Sequence, residues 1–228
     1  MTSKYALDRD DLTLNARLVR SFRKAILSGD LKGGTRLIER EMTEMFGVSR
    51  GLLREAIQTL ASEGLITLVP HKGPVVTLLS RNEAAELYRV RGVLEGLACA
   101  EFTQGASEEQ REELFRIFDQ LESMVGKEEP NALVEAKNDF YRCLLSGAGN
   151  EVLEQMFTQL NNRIVQLRRL TLSASGRFPD TIREIGGIMD AIRARDAQKA
   201  RTLAEAHVAA AAEVVQRRFS ELDLDNNK

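Results

Sequence analysis

Two arginines one helical turn apart, Arg50 and Arg54, follow a serine in the stretch Phe46-Gly47-Val48-Ser49-Arg50-Gly51-Leu52-Leu53-Arg54. Guanidinium groups so placed offer rigid forks of N–H donors that fit a guanine edge or a phosphate. Downstream, His71 and Lys72 sit between Pro70 and Gly73-Pro74, a spacing that puts a basic tip on a turn. A third set is dispersed: Arg91, Lys137, Tyr141, Arg163 and His207. Helical phase puts each among apolar neighbours: Arg91 with Leu87, Leu94 and Ala98, Arg163 with Met156, Leu160 and Leu167, His207 with Leu203, Ala210 and Val214. Tyr141 shares a face with Val134, Lys137 and Leu145, which taken by itself reads as an ordinary helix surface. Inward cations are costly alone, and a small carboxylate would relieve them. Plainer readings stand beside this one: Arg91 and Glu95 have ion-pair spacing, Arg163 can reach the rim, and His207 can be a satisfied core histidine.

The elements that must carry these groups are legible. Gly47 can end a helix in the left-handed conformation, Val48 can wedge between helices, and Ser49 is a good N-cap for the next. On that next helix Leu53, Ala56, Ile57 and Leu60 form the buried stripe, leaving Arg50 and Arg54 largely off it. A β-rich tail from Leu65 to Leu79 bends at Pro70–Pro74. Helix, turn, basic helix and hairpin compose a winged helix-turn-helix. From Ser80 onward strand alternation stops, and turn signals recur at 105–107, 126–130, 147–150, 173–179 and 195–196. Between them lie six to seven helical segments, with a capping box expected at Ser107 and Gln110, an N-cap at Asn150, and a last helix over 197–219. The expected fold is therefore mainly α: three helices with a hairpin wing over residues 1–79, then an antiparallel all-α bundle over 80–228.

Charge divides along the same line. Residues 1–79 hold 12 Lys and Arg against 9 Asp and Glu, a net of +3, whereas residues 80–228 hold 20 against 25, a net of −5. Duplex DNA would thus be gripped by a few placed arginines and by dimerisation rather than by a broad basic surface. No apolar run approaches the ~20 residues a membrane span needs. The first eleven residues lack the apolar core of a secretory signal, so the cytoplasm is expected. Cys99 and Cys143 lie in helical patterns among apolar neighbours and read as buried thiols. No nucleophile motif, phosphate loop or metal pair suggests an enzyme.

The segment 18–77 resembles the DNA-binding domain of GntR-family bacterial transcription factors. The resemblance lies in Gly29-Asp30-Leu31-Lys32-Gly33-Gly34-Thr35-Arg36-Leu37, Glu41-Met42, Val48-Ser49-Arg50, Arg54-Glu55-Ala56-Ile57 and Glu63-Gly64-Leu65. Gly33, Gly51 and Leu52-Leu53 depart from the family pattern. The resemblance implies that Arg40, Ser49, Arg50 and Arg54 contact DNA, with Lys72 and Gly73 at the wing tip, beside His71, entering the minor groove.

The order of winged helix and bundle is similar to the FadR subfamily, whose C-terminal domain is called FCD. Its marks here are Arg91 with Glu95, the Phe140 region, Gly149-Asn150, 188–192, Asp196 with Ala200, and His207. Most such domains hold a divalent metal with one Asp and three His. Those four places fall at Lys137, Tyr141, Ile185 and His207, and the chain has only two histidines, so neither metal nor other cofactor is expected. The reading is of a DNA-binding regulator, expected to be a repressor and a homodimer on a palindromic operator. A small carboxylate or sugar acid would be its effector, bound by Arg91, Lys137, Tyr141, Arg163 and His207. The alternative is a DNA-binding dimer whose bundle is purely structural.

Overall fold

A computed structural model of the chain describes residues 13–126, 130–172 and 177–226. The chain splits into two compact units, Met1–Leu79 and Ser80–Lys228.

The first unit holds α1 (Leu14–Leu27), α2 (Glu39–Phe46), α3 (Arg50–Ser62), β1 (Ile66–Val69) and β2 (Gly73–Val76). Each boundary has a local cause. Thr13 caps α1, its hydroxyl accepting from the Ala16 N–H at 3.2 Å. Gly47 ends α2 at φ 66°, in the left-handed region, and the Ser49 hydroxyl accepts from the Leu52 N–H at 3.3 Å to start α3. Leu53, Ala56, Ile57 and Leu60 of α3 are buried, and Val48 packs against the same core. At the centre Phe22 stacks on Phe46 with ring centroids 4.5 Å apart. Glu63-Gly64-Leu65 does three jobs in a row. Glu63 accepts a bidentate pair from Arg23 at 2.7 and 2.8 Å, Gly64 turns at φ 75°, and Leu65 enters the core. β1 and β2 pair antiparallel with Ile66 opposite Val76 and Val69 opposite Gly73. The link after α1 runs beside β2, with Val76 N–H donating to Thr35 O and Leu37 N–H to Pro74 O, both at 2.9 Å.

The second unit holds α4 (Arg81–Gly105), α5 (Glu108–Glu122), α6 (Pro130–Ala148), α7 (Glu151–Leu172), α8 (Arg177–Arg193) and α9 (Ala197–Asn226). Capping boxes at Ser80 with Glu83 and at Ser107 with Gln110 start α4 and α5, and Asn150 Oδ1 accepts from Leu153 N–H to start α7. Two boundaries differ from the sequence reading. α8 begins at Arg177, inside the turn expected at 173–179, and Pro179 sits in its first turn, where a missing N–H is harmless. α9 continues past Phe219 to Asn226, because the polar residues that follow contain no glycine or proline to stop it. The chain ends and the linkers 127–129 and 173–176 lie outside the described residues, and the N-terminal reading falls there. No helix among the described residues is long and apolar enough to cross a membrane.

α4 is the central helix, packed by α6, α7, α8 and α9. Small residues set those approaches. A Cβ at Gly96 would come within 2.8 Å of Glu205 Cγ on α9, and one at Gly147 on α6 would overlap the Phe102 ring on α4. Arg111 of α5 clamps two helix ends. It donates to the carbonyls of Thr103 at 2.5 Å, Ala106 at 3.2 Å and Phe102 at 3.4 Å near the end of α4, and to Ile192 at 3.5 Å near the end of α8. These lie among the last carbonyls of the two helices, and the cation suits the negative ends of both helix dipoles. Replacing Arg111 by Met keeps the volume and removes the buried donors from those oxygens. The urea midpoint should fall by an amount worth about 3 kcal/mol, and an unchanged midpoint would contradict the clamp.

Candidate functional sites, one in each unit

The first site is the outer face of the helix-turn-helix. Arg40, Ser49, Arg50, Arg54, His71 and Lys72 are all exposed, and Gly73 is half-buried. Ser49 spends its acceptor on the α3 cap, which leaves its hydroxyl hydrogen to donate outward. His71 turns the wing tip at φ 61°, and Lys72 N–H closes the turn onto Val69 O at 3.1 Å. The heads of α2 and α3 meet through Glu39, which sequence reasoning missed. Its carboxylate takes Arg54 Nε at 2.6 Å and Nη2 at 3.1 Å. Hydrogen bonding from Arg54 holds the Glu39 carboxyl below its usual range, and Arg50 adds to it. An acid in the first turn of α2 suits the helix dipole, and that was the only local signal. Arg54 remains 67% exposed, so the pair orients a fork without hiding it.

The second site is buried in the six-helix unit. Arg91 is 3% exposed. It donates from Nε to Glu95 Oε2 at 3.1 Å and from Nη2 to Tyr141 Oη at 2.7 Å. Tyr141 donates onward to Glu95 Oε1 at 3.0 Å, closing a triangle between α4 and α6. Burial works against the charge of Glu95, but Arg91 above all outweighs it, and the carboxyl stays below its ordinary value. Lys137, also buried, places Nζ 5.8 Å from the Tyr141 ring centroid.

On the other side stand α8 and α9. Arg177 grips Glu184 with Nη1 to Oε1 at 2.7 Å and Nη2 to Oε2 at 2.8 Å. Glu184 Oε2 also meets His207 Nδ1 at 2.5 Å. Burial pushes the His207 imidazole down to about 4, with Lys137 and Arg91 working in the same direction against Glu184 and Glu95. Burial alone would raise Glu184, but hydrogen bonds from His207 and Arg177 bring it down to about 2. His207, Lys137, Arg91, Tyr141 and Glu95 therefore form one electrostatic neighbourhood. Arg177 and Glu184 join it through His207. Neither had been expected: Arg177 sits in what reads as a turn, and Glu184 is one acid among many.

Of the neighbours that helical phase gave Arg163, Leu167 is buried whereas Met156 is 52% exposed, and Arg163 Nε lies out of water. Half-buried, Arg163 is felt by Glu83 at the head of α4, about 12 Å along that helix from Arg91. Cys99 is buried near Glu95, and its thiol is pushed up by desolvation. Cys143 is half-buried, with Sγ 3.7 Å from the Gln110 carbonyl.

The four FCD metal positions do not fit a divalent cation. Lys137 brings positive charge, Ile185 is a buried hydrocarbon, and Tyr141 is committed to Arg91 and Glu95. Three or more His, Cys, Asp or Glu side chains in ligating proximity do not occur among the described residues.

Titration should expose the buried histidine. The folded value near 4 lies below the ~6.5 of an unfolded chain. Between those values the unfolded state binds the extra proton, so stability falls as pH drops from about 6.5 to 4. The loss should be on the order of 3 kcal/mol by urea melts, and His207→Gln should flatten that part of the profile. Equal slopes in the two proteins would contradict a buried neutral imidazole.

Residues 14–76 match the family described as bacterial regulatory proteins, gntR family, and residues 86–210 match the FCD domain. The chain is similar to the gluconate operon transcriptional repressor of Bacillus subtilis, 26% identical over 174 residues, covering 76% of this chain and 70% of that one. It is also similar to the HTH-type transcriptional repressor GlaR of Escherichia coli, 25% identical over 200 residues, covering 84% and 90%. The solved structure of E. coli McbR/YncC matches with a TM-score of 0.75 at 21% identity, over 94% of this chain and 99% of that chain, a likeness of fold. With a helix-turn-helix and wing before a bundle of this build, the chain belongs to the GntR family of bacterial regulatory proteins, and its second unit is an FCD domain.

Proposed function

We propose that this regulator is a repressor that binds a palindromic operator as a homodimer and is controlled by a small organic acid held in the FCD bundle. The observation that carries the proposal is the buried cluster of the second unit. Arg91, Lys137 and Arg177 lie buried there beside Glu95, Glu184 and a neutral His207. A bundle that only dimerised would be at least as stable with hydrocarbon in those places. Three cations retained in one interior neighbourhood suit an anion. A carboxylate fits the scale of the cluster and the planar forks of arginine. The name of the gluconate operon repressor, a relative along most of the chain, points to an operon concerned with one such acid.

On the DNA side, Arg50 and Arg54 at the head of α3 are the base-reading pair. Ser49 and Arg40 support them, and His71, Lys72 and Gly73 extend the wing tip. One recognition helix reads too few base pairs to select a chromosomal site, so two copies related by a two-fold axis read two half-sites. An effector bound more tightly by one arrangement of the pair shifts operator occupancy by the difference in its affinities, typically ~1–3 kcal/mol. The site of action is the cytoplasm, where bacterial DNA lies.

Arg50→Ala with Arg54→Ala should weaken binding to operator fragments selected from genomic DNA by about 100-fold or more, at unchanged thermal stability. Retained affinity would remove those residues from the interface. In a thermal-shift panel of small organic acids, one at a hundred times its Kd adds about 2.7 kcal/mol, or roughly 5–10 °C. A flat response across the panel would favour a purely structural bundle.

A further inference from the structure

We infer that Glu39 is a positioning residue of the DNA interface, holding the Arg54 guanidinium so that its outer edge reads a guanine rather than grips a phosphate. The inference rests on the DNA reading above and starts from the N–H groups that the fork has left over. Glu39 takes the hydrogen on Arg54 Nε at 2.6 Å and one of those on Nη2 at 3.1 Å. The hydrogens of Nη1 and the second hydrogen of Nη2 remain. At the far end of the fork, one from each of these nitrogens points the same way. That parallel pair matches the O6 and N7 acceptors of guanine in the major groove. The edge is also open. Arg54 is 67% exposed, and three positions earlier on α3 an added Cβ at Gly51 would meet nothing within 4 Å.

Charge decides between the two targets. The Glu39 carboxylate lies against the guanidinium, so the two side chains together are neutral. A phosphate arriving at the free edge gains little net attraction, and it brings its own charge toward a second anion. The guanine edge is a pair of dipolar acceptors without net charge, so it keeps both hydrogen bonds and escapes that repulsion. Arg50, one turn earlier, acts on the same carboxylate only through its field, without a hydrogen bond, and so keeps its whole fork. Stability offers no competing reason for the pair, because two side chains this exposed to water gain little from meeting.

Fluorescence anisotropy on the full chain can test this, with an operator fragment selected from genomic DNA and a scrambled duplex of the same length, over a range of KCl concentrations. Glu39→Gln keeps the side chain's size and removes its charge. It should weaken operator binding about 10-fold or more at unchanged melting temperature. The scrambled duplex should bind as well or better, with a salt slope steeper by about one phosphate contact, because the released Arg54 then takes a phosphate. Adding Arg54→Ala to Glu39→Gln should remove that extra slope. Tighter operator binding by Glu39→Gln would make Glu39 a plain repulsive charge and overturn the inference. Unchanged operator binding would also overturn it, as would equal losses on the two duplexes, the mark of a mere tether between helices. Retained operator affinity in the Arg50→Ala, Arg54→Ala protein is a separate failure: the DNA reading itself falls and takes the inference with it.

Discussion

An ionised side chain is tolerated inside a helical bundle only when its lost hydration is returned by hydrogen bonds and opposite charge. The second unit meets that condition around α4. Arg91 and Glu95 are one turn apart on one helix, so their pairing is built into it, and Tyr141 from α6 bonds to both. The triangle forms only because α6 can come close, and Gly147 against the Phe102 ring is what permits it. The same logic recurs across the bundle, where Arg177 and Glu184 anchor His207 from α8. Packing and electrostatics are thus one problem here: change how closely the helices approach and the polar interior loses its partners.

Read against the metal-binding pattern that the FCD resemblance implies, this interior has exchanged one kind of positive centre for another. A divalent cation would need several lone pairs aimed at one point. The chain offers fixed cations on α4, α6 and α8, each tied to its own partners, and a single imidazole lone pair. Fixed charge demands no metal supply and depends little on pH near neutrality, since the arginines do not titrate there. It also leaves less freedom in where an anion can sit.

The first unit applies a lighter version of the same device at its surface. Arg54 is exposed and would be free to rotate, but the Glu39 carboxylate holds two of its nitrogens. In water such a pair contributes little to stability. Its effect is orientational: a long side chain reaches its target with less conformational freedom still to lose.

Much of this was legible without a fold. The turn at Gly47 and Ser49, the buried face of α3, the hairpin, the cap at Asn150 and the capping box at Ser107 are decided by residues within four positions of one another. Local hydrogen bonding and helical periodicity act over that range, so sequence reports them. Of the polar residues in the interior, Arg91, Lys137, Tyr141 and His207 were visible too, whereas Arg111 and Arg177 were not. What sequence could not supply was partnership. Arg54 finds Glu39 across 15 positions, His207 finds Glu184 across 23, and Arg91 finds Tyr141 across 50. Such pairings depend on how closely and at what angle whole helices pack, a sum over many apolar contacts that no short stretch encodes. Local chemistry in the chain determined which helices form and which of their side chains are polar. Only tertiary packing decided which charges meet.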